Sequence, residues 1–219
     1  VTTGARTFYD RYWRNEHIKR NPFDEHPGEW TDAGYKHHID LFRPFLKGKI
    51  LDFGCGDGQF VQRARHDGVD ICGTDVSPEA IRRARTSFPD IEVREMDDAI
   101  PFDSGTFDTI TCMDVLEHIL DVEGILAEMR RVLKPCGCLL ITTTEMTRMK
   151  LLAVICLHFH DYFYPTSPHI RYFTRRNLGD VLARKGFRVE AYAPNYMHWG
   201  LIPMGQFVAA RKEGGADKR

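Results

Sequence analysis

The feature that most restricts how this chain can fold is a regular alternation of short apolar runs and amphipathic stretches, which begins at Lys49. Ile50–Phe53 is an apolar strand that ends in the glycine turn Gly54-Cys55-Gly56-Asp57-Gly58. Residues 57–66 follow with Phe60, Val61 and Ala64 on one helical face, and residues 69–75 read as a second strand closed by Asp75. Ser77-Pro78 opens a helix, because a serine hydroxyl caps free N–H groups and proline suits the first helical position. Residues 91–96 and Phe107–Met113 read as strands three and four. Residues 121–133 place Val122, Ile125, Leu126, Met129, Val132 and Leu133 on one face of a helix that Lys134-Pro135 should stop. Residues 138–143 form strand five, Thr174 caps a helix with Leu178, Val181 and Leu182 inward and Gly186 at its end, and residues 187–193 and 206–211 are two closing strands.

Strands separated by helices call for a parallel sheet with helices on both faces, since a parallel neighbour is reached only by a crossover. The last two strands have no full helix between them and should pair as an antiparallel hairpin. Such sheets bind ligands at the carboxyl ends of the strands, where strand order reverses. Before the alternation, residues 1–47 read as aromatic helices broken by Pro22, Pro27 and Gly28. A chain of 219 residues suits one such domain.

Composition narrows the function classes. Thirty Lys and Arg nearly balance thirty-one Asp and Glu, with no block of like charge, which argues against a nucleic-acid partner. Six scattered cysteines, three in apolar runs, fit free thiols in a reducing compartment, and Cys136 and Cys138 lack a second pair at zinc spacing. Residues 1–12 lack the apolar core of a signal peptide, and the longest apolar stretch, residues 151–157, is too short to span a bilayer, so the expected location is the cytoplasm.

The glycine turn alone is weak, since nicotinamide-binding domains use a similar one. Its flanks are more telling. Dinucleotide sites set glycine N–H groups against an anionic pyrophosphate, whereas here Asp52 precedes the first glycine and Asp57 sits inside the loop. Two carboxylates suit a cation instead. Asp75, 23 positions beyond Asp52 at a strand end, can accept hydrogen bonds from ribose hydroxyls, a spacing that fits NAD equally well.

The strings LDFGCGDGQF, GTDVSPEAI, IPFDSGTFDTITCMDVLEHI, RVLKPCGCLLITT and HIRYFTRRNL…GF, in this order, resemble the successive motifs of class I S-adenosylmethionine-dependent methyltransferases. They are most similar to the small-molecule branch that includes ubiquinone-biosynthesis O-methyltransferases. The resemblance implies a Rossmann-like α/β fold: a seven-stranded, mostly parallel sheet with an antiparallel last strand, a helical N-terminal extension and a lid insertion. It implies one domain over residues 1–212, with N-terminal helices at 1–47, a cofactor-binding half at 48–145, the lid at 146–173, the C-terminal helix and hairpin at 174–212, and a polar tail at 213–219. It implies S-adenosylmethionine as cofactor: Asp52, Gly54 and Gly56 against the methionine moiety, Asp75 on the ribose, Val76 beside the adenine, and Met113, Asp114 and Val115 lining the methyl-donor pocket. The chain departs from the family twice. The acid that receives the adenine amino group would fall at Met96, so Asp97 takes that role. The usual Lys-Pro-Gly-Gly reads Lys134-Pro135-Cys136-Gly137, a less permissive turn.

On the acceptor side the candidate bases are His118, which shares its place with a reading as a pocket-floor residue, and His169, which follows Pro165 and Pro168 and shares its place with a reading as a packed loop histidine. Imidazole titrates near neutral pH and suits proton removal from a hydroxyl. His158 and His160 lack a clear third ligand, so no metal is expected. Residues 149–163 and 165–174 together read as a mobile cover over the acceptor pocket, with His169 facing the methyl group; for residues 149–163 an extra core helix or a transient membrane-surface contact are the other readings. The expected partner is a small-molecule acceptor with a hydrophobic or aromatic body, methylated on oxygen. Two other classes stay open: a nicotinamide-dependent oxidoreductase, which NADH titration would reveal, and a catalytically inactive cofactor-binding partner subunit, which would show no turnover.

Overall fold

A computed structural model describes residues 2–14, 32–163, 167–195 and 205–214. Its elements are α1 (Thr2–Trp13), α2 (Asp32–Phe42), β1 (Ile50–Phe53), α3 (Gln59–His66), β2 (Ile71–Asp75), α4 (Pro78–Ser87), β3 (Val93–Glu95), β4 (Phe107–Met113), a 3₁₀ turn (Leu116–His118), α5 (Val122–Val132), β5 (Leu133–Thr144), α6 (Arg148–Leu157), α7 (Phe159–Tyr162), α8 (Arg175–Arg184), β6 (Phe187–Asn195) and β7 (Gly205–Lys212).

The sheet runs β3-β2-β1-β4-β5-β7-β6. Parallel pairing links β3, β2, β1, β4 and β5, and β7 runs antiparallel between β5 and β6. Both expectations hold, the doubly covered parallel sheet and the closing hairpin. Two apolar layers explain the double cover. Ile39 and Phe42 of α2, Phe60 and Val61 of α3 and Ile81 of α4 are buried on one face. Leu126 and Met129 of α5 and Leu178 and Leu182 of α8 are buried on the other. Strand order reverses between β1 and β4, where Asp52 pairs in register with Gly73 on one side and Thr111 on the other.

Local chemistry sets the helix ends. Ser77 Oγ accepts the Ala80 N–H at 3.2 Å, with Pro78 in the first turn. Thr174 and Asn177 form a reciprocal capping box at α8, and Gly186, at φ +72°, follows its last turn. At one junction the chain departs from expectation. Helix α5 passes straight into β5 at Leu133, so Lys134-Pro135 begins a strand instead of a loop. The pairing of β4 with β5 shifts register between Phe107 and Thr109, and that irregularity accommodates a proline without an N–H. Cys136 there takes φ +59°, the left-handed backbone that the glycine of the family's usual turn would adopt freely. On the same rim, away from the carboxyl ends of the parallel strands, the turns at Gly68 and Gly105 have nothing within 4 Å of where a Cβ would stand.

Candidate active site

The glycine turn after β1 is wound tightly against its neighbours. The N–H groups of Gly54 and Cys55 both donate to the Thr74 carbonyl, at 2.8 and 3.0 Å. Gly54 adopts φ +78°, and a Cβ there would lie 2.4 Å from Val115 Cγ2. Gly56 adopts φ +53°, and a Cβ there would lie 2.6 Å from Trp13 Cζ2. Any side chain would thus be strained and would push away the residues that wall the space beside the loop.

That space is a cavity of about 560 Å³ at the carboxyl ends of β1, β2 and β4, within the size range of small-molecule sites. Asp52, Asp57, Asp75, Asp97, Asp98, Asp114 and Asp121 line it, and no lysine or arginine of the described residues does. Asp52 and Asp75 are buried. Asp75 Oδ2 accepts the Gly56 N–H at 3.0 Å and Oδ1 accepts the Ser77 N–H at 2.8 Å. Burial nevertheless raises its carboxyl above the usual range. Asp52 accepts a hydrogen bond from Thr111 Oγ1 at 2.8 Å; burial, with the charge of Asp75 adding to it, pushes its carboxyl up to about 7. The wall is thus built to receive a cation, which would relieve the mutual repulsion of these acids. Asp97 is ion-paired with Arg6 of α1, which also bonds Glu95.

At the other end of the cavity lie His118, Ile119, Leu120 and Pro168. Asp114, which ends β4, holds φ +50°, with its N–H donating to the Thr142 carbonyl at 2.9 Å. The 3₁₀ turn then brings His118 to the cavity wall and Glu117 into the interior. Glu117 is fully buried; Thr143 Oγ1 donates to Oε2 at 2.8 Å and the Thr144 N–H to Oε1 at 3.2 Å. Its carbonyl accepts the N–H groups of Ile170 and Arg171, both at 3.1 Å, and so fastens residues 167–173 to the strand-four loop. His118 Nδ1 lies 2.9 Å from the Pro168 carbonyl oxygen. A carbonyl only accepts, so Nδ1 carries the proton and Nε2 keeps its lone pair free to take one. The ring stands between Tyr9, edge-on at 5.9 Å, and His169, tilted at 4.8 Å. Glu117, His118 and His169 bring ligand-type atoms within 4.8 Å of one another, a grouping of metal-ligand type that was not evident from the sequence.

Of the sequence-derived site residues, Asp52, Gly54, Gly56, Asp75, Val76, Asp97, Met113, Asp114, Val115 and His118 all line the one cavity. His169 does not; it packs behind His118, and burial, with the neighbouring His118 and Lys150, lowers its imidazole to about 3. That placement is the one expected of a packed loop histidine. Of the expected cover, Pro168 lines the cavity, and none of the described residues in 149–163 does. Helix α6 turns Met149, Leu152, Ile155 and Leu157 outward and buries Val154 and Lys150. Residues 164–166, within the proposed cover, lie outside the described residues. The sequence reading missed Leu120 as a wall residue, and Lys150 as a buried amine that desolvation lowers to about 8.

A Rossmann-like domain with an acidic cavity at the switch point defines a class of ligand-binding α/β enzymes. Within it, the methyltransferase-domain family profile matches residues 28–192, and the chain belongs to the class I S-adenosylmethionine-dependent methyltransferases, whose cofactor is S-adenosylmethionine. Among curated relatives, a ubiquinone biosynthesis O-methyltransferase of Thiobacillus denitrificans is 30% identical over 138 residues, covering 60% of either chain. Another of the same name, from Paracidovorax citrulli, is 26% identical over 192 residues, covering 80% of this chain and 81% of the relative. The match spans about 60% of the length of the first of these relatives. A solved S-adenosylmethionine-dependent methyltransferase from Methanosarcina mazei shares the fold, with a TM-score of 0.65, 20% identity, and coverage of 79% of this chain and 97% of that one. No helix among the described residues is long and apolar enough to cross a membrane.

Proposed function

We propose that the cavity holds S-adenosylmethionine at its glycine-loop end and transfers a methyl group to an oxygen of a small acceptor with a hydrophobic or aromatic body. The observation that carries this reading is the pairing, in one cavity, of buried Asp52 and Asp75 around the glycine loop with His118 at the opposite end. The residues fit the cofactor: Asp75, whose oxygens retain lone pairs beyond their backbone partners, would take the ribose. Gly54 and Gly56 leave room for the methionine tail, Val76 would flank the adenine, Asp97 would receive its amino group, and Met113, Asp114 and Val115 would border the methyl donor. When bound, S-adenosylmethionine supplies a methyl group already activated on a sulfonium.

The chain's own residues then have two tasks. The walls hold the acceptor oxygen in line and keep water out, and His118 Nε2, its lone pair free because Nδ1 is committed to the Pro168 carbonyl, takes the hydroxyl proton. Ile119, Leu120 and Tyr9 give the acceptor end an apolar, aromatic lining, which supports an acceptor with such a body, as does the name of the curated relatives. The exposed apolar side of α6, with Phe159 and Phe163 beyond it, supports contact with a lipid surface from which a greasy acceptor would enter.

The test is a methyl-transfer screen with labelled S-adenosylmethionine against catechols, phenols, sugars, carboxylates and amines, beside titration with NADH. Transfer to a phenolic oxygen is expected. Binding of S-adenosylmethionine without transfer to any class would favour a non-catalytic partner subunit, and tight NADH binding alone would overturn the reading.

A further inference from the structure

Helix α1 touches both ends of the cavity, and the spacing of its residues explains how. Ala5, Tyr9 and Tyr12, at helical intervals of four and three, face the cavity, together with Trp13. A neighbouring stripe, Arg6 and Asp10, ties the helix to the domain. Arg6 bonds the carboxylates of Glu95 and Asp97 at the end of β3. Asp10 Oδ1 accepts the Glu79 N–H at 3.0 Å, one of the donors that the first turn of α4 leaves without a helical partner. Trp13 rests on Gly56, in the space a side chain would occupy. Three of these contacts fall on the cofactor loop or its neighbours, while Tyr9 reaches the other end and stands edge-on to His118 at 81°.

We propose that Tyr9 is a positioning residue for His118, and that α1 delivers it from a seat on the cofactor loop, so that ligand binding at the loop and orientation of the base are coupled. This rests on the reading of His118 as the base. A single hydrogen bond to the Pro168 carbonyl fixes where Nδ1 points but leaves the ring free to swing about that axis. Contacts on both sides stop the swing, His169 from one direction and Tyr9 from the other. His169 directly precedes Ile170 and Arg171, whose N–H groups fasten that segment to the Glu117 carbonyl. Tyr9 comes on a separate helix, whose grip depends on Arg6 at Asp97 and Trp13 at Gly56, two positions on the cavity wall.

The test uses the whole chain and two readouts independent of turnover. Nitrogen-15 NMR of the imidazoles, with His118 assigned by its loss in His118→Gln, reports which ring nitrogen carries the proton. The wild type is expected to show His118 protonated on Nδ1. Tyr9→Ala should shift it toward a mixture of tautomers, Tyr9→Phe should keep the wild-type pattern because the ring remains, and Arg6→Glu should reproduce the alanine result from outside the cavity. Amide hydrogen exchange is the second readout: adding S-adenosylhomocysteine should slow exchange in α1 by about tenfold or more. A wild-type His118 protonated on Nε2 overturns the base assignment and the coupling with it. The expected wild-type tautomer, left unchanged by both Tyr9→Ala and Arg6→Glu, overturns the coupling alone. Exchange in α1 that ignores S-adenosylhomocysteine does the same.

Discussion

Asp75 and Gly56 are joined by a hydrogen bond of 3.0 Å from the glycine N–H to the carboxylate, which ties the end of β2 to the loop that follows β1. The acid proposed to hold the ligand therefore also holds the loop in shape. Asp75→Asn would set an NH₂ group against one of two backbone donors, at Gly56 or at Ser77, and leave an unsatisfied N–H in the interior. A loss of this kind costs about 1–3 kcal/mol. Calorimetry with S-adenosylmethionine should show affinity weakened by about 10- to 1000-fold, with a lower melting temperature. Unchanged affinity would remove Asp75 from the ribose.

Burial pushes the Asp52 carboxyl up to about 7 in the folded protein, from the ordinary 3.8 of a free aspartate. A cation beside it favours the ionised form, so binding of S-adenosylmethionine should release a proton below about pH 7, and affinity should rise with pH up to that value and then level off. Stability moves the other way. Between these two values the unfolded carboxyl is ionised and the folded one holds its proton, so rising pH costs folding free energy. Asp52→Asn should therefore gain stability relative to the wild type at about pH 8 compared with about pH 4. Calorimetry in buffers of different ionisation enthalpy checks the first expectation and thermal melts check the second.

His118→Ala should lower turnover by about 100-fold or more, the usual contribution of a general base, with cofactor affinity within about twofold of the wild type. His169→Ala should have the smaller effect, because that ring lies behind His118 and not on the cavity wall. Steady-state kinetics with an acceptor from the screen decides between them; a larger loss for His169→Ala would exchange their roles.

Cys136 holds φ +59° in the turn that opens β5. Glycine adopts this backbone without strain, so Cys136→Gly should stabilise the domain by about 1 kcal/mol in urea unfolding, with no effect on ligand affinity. A neutral or destabilising result would mean that Cys136 contributes packing the exposed turn does not reveal.

Much of this was legible in the sequence because it depends on contiguous residues. The strand-helix alternation and the Ser77 and Thr174 caps follow from local pattern, and the cavity-lining set from Asp52 to His118 sits in contiguous motifs that resemble those of the family. The partnerships that the fold creates across long stretches were not legible. Nothing local shows that Pro168 will fix the tautomer of His118, or that Arg6 will pair with Asp97. The stretch through α6 is apolar on every side, so its pattern gave no direction, and only the fold shows which residues it turns outward. Lys150 was invisible for the same reason, since a lysine in a helix reads as solvated until packing puts it beneath Tyr162.

The open turns at Gly68 and Gly105 have a practical meaning for anyone who wishes to watch this protein at work. Both lie on the rim opposite the cavity, with empty space where a side chain would project. A short insertion at either turn that carries a dye, a spin label or an affinity tag would project away from the cavity, provided the glycines themselves are kept, since φ +82° and +67° would strain any side chain placed on them. Such probes offer anchoring points for measuring distance to the N-terminal helix during a catalytic cycle, while the crowded rim that carries the chemistry is left untouched.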